Sequence, residues 1–336
     1  MRAVVVIPTL NACDRLEKAV ASLEAQTVRP AVVVVDNAST DGTRQMLATR
    51  FPDATVVVND ENLGFGRAVN RGVQEAGDAD VVVLVNNDVV CAPDFVARLL
   101  TPFADSTVGM VAGVLLQATA PGVIDSAGIE LDATLGSWDN LWNRPVSDLV
   151  GAVDPVGPCG GAAAYRRSAF VELGGFDDAF FAYWEDVDLA LRFRAAGWRC
   201  VLVPDAHAVH EHGQTLGAAS PAARRLEAFG RGYVLAKYRV ARRRPLTAAA
   251  IALLDWPPLA VHLLLRREAA PIRARLRGRA LGLRRPGSRA PLELASVSVA
   301  AALRRRAGQL RLRARGELPS HFTANGAQPR SGRTTR

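Results

Sequence analysis

Cysteine is scarce in this chain, and no two cysteines form a Cys-x-x-Cys pair: Cys13, Cys91, Cys159 and Cys200 stand apart. That spacing excludes a zinc-ribbon or disulfide framework and reads as reduced, mostly buried residues of a cytosolic protein. A clean membrane-spanning run is also missing. Leu246–Leu265 approaches one, but Asp255, Pro257, Pro258 and His262 interrupt it, and a spanning helix needs about 20 apolar residues. Two short helices lying in a membrane interface are the expectation there. No secretory leader is expected, because Ala3–Leu10 is short, follows a single basic residue and runs into a turn. The Arg-rich C-terminal part lacks interleaved stacking aromatics, which argues against nucleic acid and for an anionic membrane as its partner.

What is present divides the chain in two. Hydrophobic residues make up 49% of its 336 residues, enough for a folded domain plus an appendage. Residues 1–215 carry 15 basic and 28 acidic side chains, a net charge of −13. Residues 216–336 carry 26 and 5, a net of +21. The expected organisation is a catalytic domain over 1–215, a basic and partly apolar helical membrane-associating region over 216–285, and an Arg-rich helix with a disordered tail over 286–336.

Within the first part, short β-branched runs alternate with helical patterns, the signature of a mostly parallel α/β sheet flanked by helices. The runs are Ala3–Ile7, Ala31–Val35, Thr55–Val58, Val81–Val85 and Val108–Val111. Asn11 is a candidate cap for a helix carrying Leu16, Val20 and Leu23. Residues 113–165 read as irregular with short strands. Glu185–Ala196 reads as a helix closed by Gly197, and Cys200–Val203 as a short strand.

Ligands of open parallel sheets gather beyond the carboxyl ends of the strands, and three polar clusters fall there: Pro8-Thr9-Leu10-Asn11, Asp36–Gly42 and Asn86-Asn87-Asp88. Caps and turns explain Asn11, Asp36 or Ser39 taken singly. Asp88 is different, since an acid closing a buried strand needs a partner or a cation. The Gly-rich Asn62–Gly72 segment fails as a dinucleotide fingerprint, lacking the third glycine and following the third strand rather than the first. It still suits a nucleotide or its phosphates. Asp186 falls in the first turn of its helix, where the dipole favours an ionised carboxylate, beside an apolar wall from Tyr183 and Trp184. Asp188 and Arg192 have the i, i+4 spacing of a structural pair. His210 is a candidate second metal ligand.

Together the motifs Val6–Asn11, Val35–Thr43, Asn62–Gly72, Val85–Val89, Gly174–Asp177 and Glu185–Arg192 resemble glycosyltransferase family 2, with the GT-A fold, in its bacterial rhamnosyltransferase-like branch. The resemblance implies that Pro8, Thr9, Asn11, Asp36 and Asn37 hold base and ribose, with Asp36 accepting from a ring N–H. It implies that Asn62, Gly64, Asn70, Asn86 and Asn87 line the nucleotide-sugar pocket. Gly160, Gly161, Trp184 and Glu185 would border the sugar or acceptor. Asp88, closed by His210, would bind Mg²⁺ or Mn²⁺ on the diphosphate, and Asp186 would be the base of an inverting displacement. One departure is Asn86, which stands where the family's Asp-x-Asp motif has its first acid.

The implied enzyme transfers a sugar, rhamnose from dTDP-rhamnose being the leading candidate, to a saccharide or polyprenyl-linked acceptor in envelope polysaccharide synthesis. It would work at the inner face of the plasma membrane. A sugar-nucleotide nucleotidyltransferase would need a Gly-rich basic loop after strand one, which Pro8–Asn11 does not provide. A non-catalytic binder of anionic membranes would have no use for Asp36, Asp88, Asp186 and His210 together.

Overall fold

A computed structural model of the chain describes residues 1–211, 220–266 and 268–285. Its strands are β1 (Ala3–Thr9), β2 (Ala31–Asp36), β3 (Thr55–Val58), β4 (Val81–Val85), β5 (Val89–Cys91), β6 (Val108–Gln117), β7 (Ile124–Ser126), β8 (Ile129–Leu131), β9 (Ser137–Asp139), β10 (Ala162–Arg166) and β11 (Arg199–His210). Its helices are α1 (Cys13–Glu24), α2 (Thr43–Arg50), α3 (Phe65–Gln74), α4 (Phe95–Leu100), α5 (Arg167–Glu172), α6 (Glu185–Ala195), α7 (Pro221–Lys237), α8 (Val240–Arg243), α9 (Pro245–Arg266) and α10 (Ala270–Arg284).

The main sheet runs β3-β2-β1-β4-β10-β6-β11-β5, with β7 on the flank of β6. β1–β4 are mutually parallel, and β6 and β11 are parallel to each other. β10 lies antiparallel between β4 and β6, so the sheet is mixed. The carboxyl ends of β1, β2, β4, β6 and β11 consequently share one edge.

Side-chain alternation builds the layers. Along β1, Val4 and Val6 enter one apolar cluster, with Val69 of α3, Phe170 of α5, Leu189 of α6 and Tyr233 of α7. Val5 and Ile7 enter the other, with Leu16 of α1, Leu47 of α2 and Phe95 of α4. Gly72 lets α3 lie close on the sheet; a methyl there would stand 2.8 Å from Val35 Cγ2.

Several sequence expectations need correction. The 113–165 segment is more ordered than its composition suggests, since β6 runs on to Gln117 and β10 begins at Ala162. β11 is 12 residues long, because its pairing with β6 resumes at His207 after an irregularity. Asn11 does not cap α1: the N-cap is Ala12, without a side-chain bond. Leu246–Leu265 forms one continuous helix, α9, rather than two, with Pro257 and Pro258 inside it. Among the described residues no helix is long and apolar enough to cross a membrane. The Arg-rich helix and disordered tail expected over 286–336 lie outside the described residues.

The basic C-terminal part packs against the first part through α7. Tyr233, Val234 and Tyr238 are fully buried in the first apolar cluster. Asp255, the acid that breaks the apolar run of α9, is paired with Arg231 of α7 at 3.1 Å and with Arg275 of α10 at 2.6 Å. A carboxylate that looks disruptive in sequence thus joins three helices.

Candidate active site

The shared strand edge gathers the polar residues. β10 pairs with β4 in the register Ala162↔Val85, which sets Gly160-Gly161 beside Asn86 at the end of β4. A side chain at Gly161 would stand 3.2 Å from the Asn86 amide, and one at Gly160 would stand 3.1 Å from the Phe65 ring. The Gly160 N–H also donates to Asp186. This glycine pair is therefore the meeting point of the β4 end, the Gly-rich loop and the start of α6.

On the donor side, Asp36 is completely buried; its carboxylate accepts from the Ser39 N–H at 3.1 Å and from Arg44 Nε at 2.6 Å. Asn37 donates to the Gly64 carbonyl at 3.3 Å and accepts from Asn59 at 2.7 Å, and Arg71 donates to Asn59. Asn87 donates to Thr9 Oγ1 at 3.0 Å, tying β4 to β1, whose Pro8 precedes it. Asn11, with φ of +48°, accepts from the Thr40 N–H at 2.8 Å and so pins the loop after β2. Asn62 accepts from the Gly64 N–H at 2.9 Å. Gly64 needs to be glycine: its φ is +83°, and a Cβ would overlap the Phe181 carbonyl. The next N–H, of Phe65, donates to that carbonyl at 2.8 Å, joining the donor loop to the segment before α6.

Asn70 departs from its expected place in the nucleotide pocket. Its amide donates to the Phe176 carbonyl and accepts from the Phe176 N–H, both at 2.8 Å. It braces the Gly174-Gly175 turn, because the helical spacing turns it away from Asn62 and Gly64.

At the ends of β4 and β11, His210 lies between two carboxylates. Its Nε2 is 3.3 Å from Asp88 Oδ1, and its Nδ1 is 2.8 Å from Asp125 Oδ2. Burial alone would lower the imidazole, but the hydrogen bonds to Asp125 and Asp88 carry it up to about 9. Burial works in the opposite sense on Asp88, yet His210 and the charge of Arg15 hold its carboxyl below its ordinary value. One nitrogen oriented by a carboxylate and the other facing a second carboxylate is an arrangement suited to a divalent cation. Among the described residues no group of three or more His, Cys, Asp or Glu side chains is arranged so that it could hold a metal ion by itself, so a cation here would take its remaining ligands from diphosphate and water. Asp125 escaped the sequence reading because it sits in a three-residue strand within a segment of no clear period.

On the other side, Tyr183 and Trp184 both adopt left-handed backbone, φ +66° and +77°, immediately before α6. Trp184 is the N-cap residue, and Glu185 and Asp186 occupy the first turn. Burial pushes both carboxyls up, and the Asp186 charge raises Glu185 further. The helix start therefore does not by itself keep Asp186 acidic, as its sequence position suggested; enclosure wins over the dipole. Glu185 is buried, and its Oε2 has no hydrogen-bond partner. The Trp184 ring lies 5.4 Å from the Arg231 guanidinium and against Gly230, so α7 holds it in place. Asp188 and Arg192 pair at 2.9 Å, as their spacing predicts.

A mixed sheet whose carboxyl edge carries a buried acid after β2, an Asn-Asn-Asp end on β4 and a carboxylate at the start of a later helix defines a GT-A nucleotide-sugar transferase. The sequence model of glycosyl transferase family 2 matches residues 4–174, and the chain belongs to that family. It is 36% identical over 236 residues to the N-acetylglucosaminyl-diphospho-decaprenol L-rhamnosyltransferase of Mycobacterium tuberculosis strain H37Rv, covering 63% of this chain and 77% of that one. It is 26% identical over 217 residues to the O-antigen chain rhamnosyltransferase WbaN of Salmonella anatum, covering 62% and 66%. Among solved structures, the mannosyltransferase PcManGT of Pyrobaculum calidifontis, in complex with GDP-Man and Mn²⁺, superposes with a TM-score of 0.51 at 22% identity, over 96% of this chain and 84% of that one. GalNAc-T7 with UDP, GalNAc and Mn²⁺ superposes with a TM-score of 0.55 at 16% identity, over 72% and 51%. The protein is a nucleotide-sugar glycosyltransferase of that family.

Proposed function

We propose that the chain transfers a deoxyhexose, with dTDP-rhamnose the first donor to test, to a polyprenyl-diphosphate-linked saccharide by single inverting displacement. The observation that carries this reading is the Asp186 carboxylate at the glycine junction, facing the donor loop across Gly160. An acceptor hydroxyl is a weak nucleophile, and a carboxylate with a raised pKa takes its proton efficiently as the anomeric carbon is attacked. Pro8, Thr9, Asn11, Asp36 and Asn37 would hold base and ribose; Asn62, Gly64, Asn86 and Asn87 would line the pocket. Asp36 would receive the ring N–H if Arg44 yields one of its contacts. Gly160, Gly161, Trp184 and Glu185 would border the acceptor, whose hydroxyl would supply the partner that Glu185 Oε2 lacks.

Asp88 and His210 would hold Mg²⁺ or Mn²⁺, with Asp125 fixing the imidazole. When bound, the cation neutralises charge on the leaving diphosphate. The rhamnosyl relatives support the donor, and the decaprenol-linked acceptor named for the mycobacterial relative supports the acceptor class.

The division at residues 215/216 marks a change of role as well as of charge. On α9 the exposed Leu246, Leu253 and Leu264 recur at helical spacing along one face, next to the basic Arg242–Arg244. An apolar stripe beside basic residues supports peripheral association with an anionic membrane at the cytoplasmic face. The deciding experiment incubates the full chain with dTDP-, UDP- and GDP-sugars and a polyprenyl-linked acceptor in Mn²⁺. Turnover of dTDP-rhamnose supports the reading, and transfer from another donor alone replaces the sugar.

A further inference from the structure

Residues 1–215 are net acidic, yet one cavity of about 860 Å³ on the α3 side of the sheet is lined by Arg67, Arg71, Arg167, Arg192, Lys237 and Arg285. None of the proposed donor, metal or base residues lines it, except Asn70, which is engaged with Phe176. The acids on its wall are Asp177 and Asp178. Asp177 is occupied by Lys237 at 2.8 Å and Arg285 at 3.3 Å, and Asp178 faces the Asn70 amide at 3.4 Å.

Four of the six cations have protein partners: Arg71 with Asn59, Arg192 with Asp188, Lys237 with two aspartates and Arg285 with Asp177. Arg67 and Arg167 have no carboxylate partner among the described residues. Two guanidinium nitrogens in this wall, Arg167 Nε and Arg192 Nη2, are buried without a hydrogen bond. Buried N–H groups of charged side chains without acceptors are costly, and an anion entering the cavity would supply acceptors to both. Phe170, Val171 and Leu63 are among the apolar residues of the lining, and Val171 is 55% exposed, so apolar surface adjoins the cations.

We infer that this cavity is a second ligand site, separate from the catalytic one, for the phosphoryl headgroup of an amphiphile. Arginine forks match phosphate oxygens in pairs, while Phe170 and Val171 receive the first segment of the hydrocarbon chain. Arg67 and Arg167 are the residues free to bind. The inference does not depend on the identity of the transferred sugar.

Isothermal titration of the full chain tests it, in EDTA and at fixed ionic strength. The probes are inorganic pyrophosphate, short-chain phosphatidylglycerol below its micelle concentration and the matching phosphatidylcholine. Phosphatidylglycerol should bind more tightly than pyrophosphate, and phosphatidylcholine weakly. Arg67→Gln with Arg167→Gln should weaken phosphatidylglycerol about tenfold, the loss expected for charge-assisted bonds. Arg67→Gln alone, on an exposed helical face, should lose part of that affinity without loss of fold. Donor turnover should persist in Arg67→Gln, whereas Asp186→Asn should keep the anion site while losing turnover. Equal binding of pyrophosphate and phosphatidylglycerol, both sensitive to Arg67, would leave a phosphate site and overturn the amphiphile. Binding unchanged in the double variant, or absent for every probe, overturns the site itself.

Discussion

Lys237 Nζ lies 2.7 Å from Asp188 Oδ1, two residues beyond Asp186, so the last turn of α7 is ion-paired to the first turns of the helix that carries the candidate base. Asp188 is completely buried, and Lys237 also reaches Asp177 at 2.8 Å. Tyr238 donates to Asp188 at 2.9 Å from the same helix end. The basic C-terminal part therefore contributes to the rigidity of α6.

Replacing Lys237 with methionine preserves the stem and removes the charge shared by two aspartates, leaving Asp188 to Arg192 and Tyr238 and Asp177 to Arg285 and Tyr233. Loss of one partner of a buried pair costs about 3–5 kcal/mol. Chemical denaturation should show a fall of that order, with turnover reduced in the fraction that remains folded. A change below about 1 kcal/mol would show that Arg192 and Tyr238 satisfy Asp188 without it.

Acid should open the same junction. Burial raises Asp177, but hydrogen bonds from Lys237 and Tyr233 and the Lys237 charge outweigh it and bring the carboxyl to about 2, from an ordinary 3.8. Because the folded pKa is depressed, this stabilisation is complete above pH 3.8 and disappears as pH falls towards 2. It amounts to about 2 kcal/mol. Asp177→Asn should lose that contribution at neutral pH and flatten the acid limb of stability between pH 4 and 2; a limb identical to wild type would assign acid unfolding elsewhere.

Asp186→Asn should lower turnover about 10²–10⁴-fold while donor binding stays intact. A base must be ionised, and enclosure raises Asp186. Wild-type rate should therefore fall on the acid side with a midpoint above the ordinary carboxylate value. A variant retaining a tenth or more of the rate refutes the role.

EDTA should stop turnover and Mn²⁺ should restore it, with full activity in chelator refuting a catalytic cation. Asp125→Asn removes the carboxylate that orients His210 and should weaken Mn²⁺ binding about 10–100-fold. Paramagnetic resonance of free Mn²⁺ reads this without any assay of transfer.

The full chain should co-sediment with vesicles containing anionic lipid, and salt should weaken but not abolish binding, since inserted apolar area is unscreened. Leu253→Glu and Leu264→Glu, both on the exposed face of α9, should remove the salt-resistant part. Vesicle binding unaffected by these changes would place the anchor elsewhere.

The legible parts of the sequence were those with strong local periodicity. Thr55–Val58 and Val81–Val85 are strands with the expected ends, and α6 matches the expected Glu185–Ala196 within a residue. β10 was hidden because Ala162-Ala163-Ala164 has no β-branched signature; burial between β4 and β6 makes it a strand. Asp125 meets His210 only through β7 pairing with β6, a contact no local pattern encodes. Lys237 looked like one more charge in a basic tail. Its partners lie 49 and 60 positions earlier, beyond the reach of composition. The fold therefore showed through its strands, whereas the helix that steadies the base became visible only in three dimensions.

The paired left-handed residues ahead of α6 have a consequence for anyone evolving this enzyme in the laboratory. Tyr183 and Trp184 hold conformations that glycine or asparagine adopts more easily. A selection that scores heat resistance alone would enrich those smaller residues there. It would also discard the indole clasped by Gly230 and Arg231 and free the start of α6. Winners of such a screen would be sturdier proteins and slower catalysts, and directed evolution here should reward product formed after heating rather than soluble protein recovered.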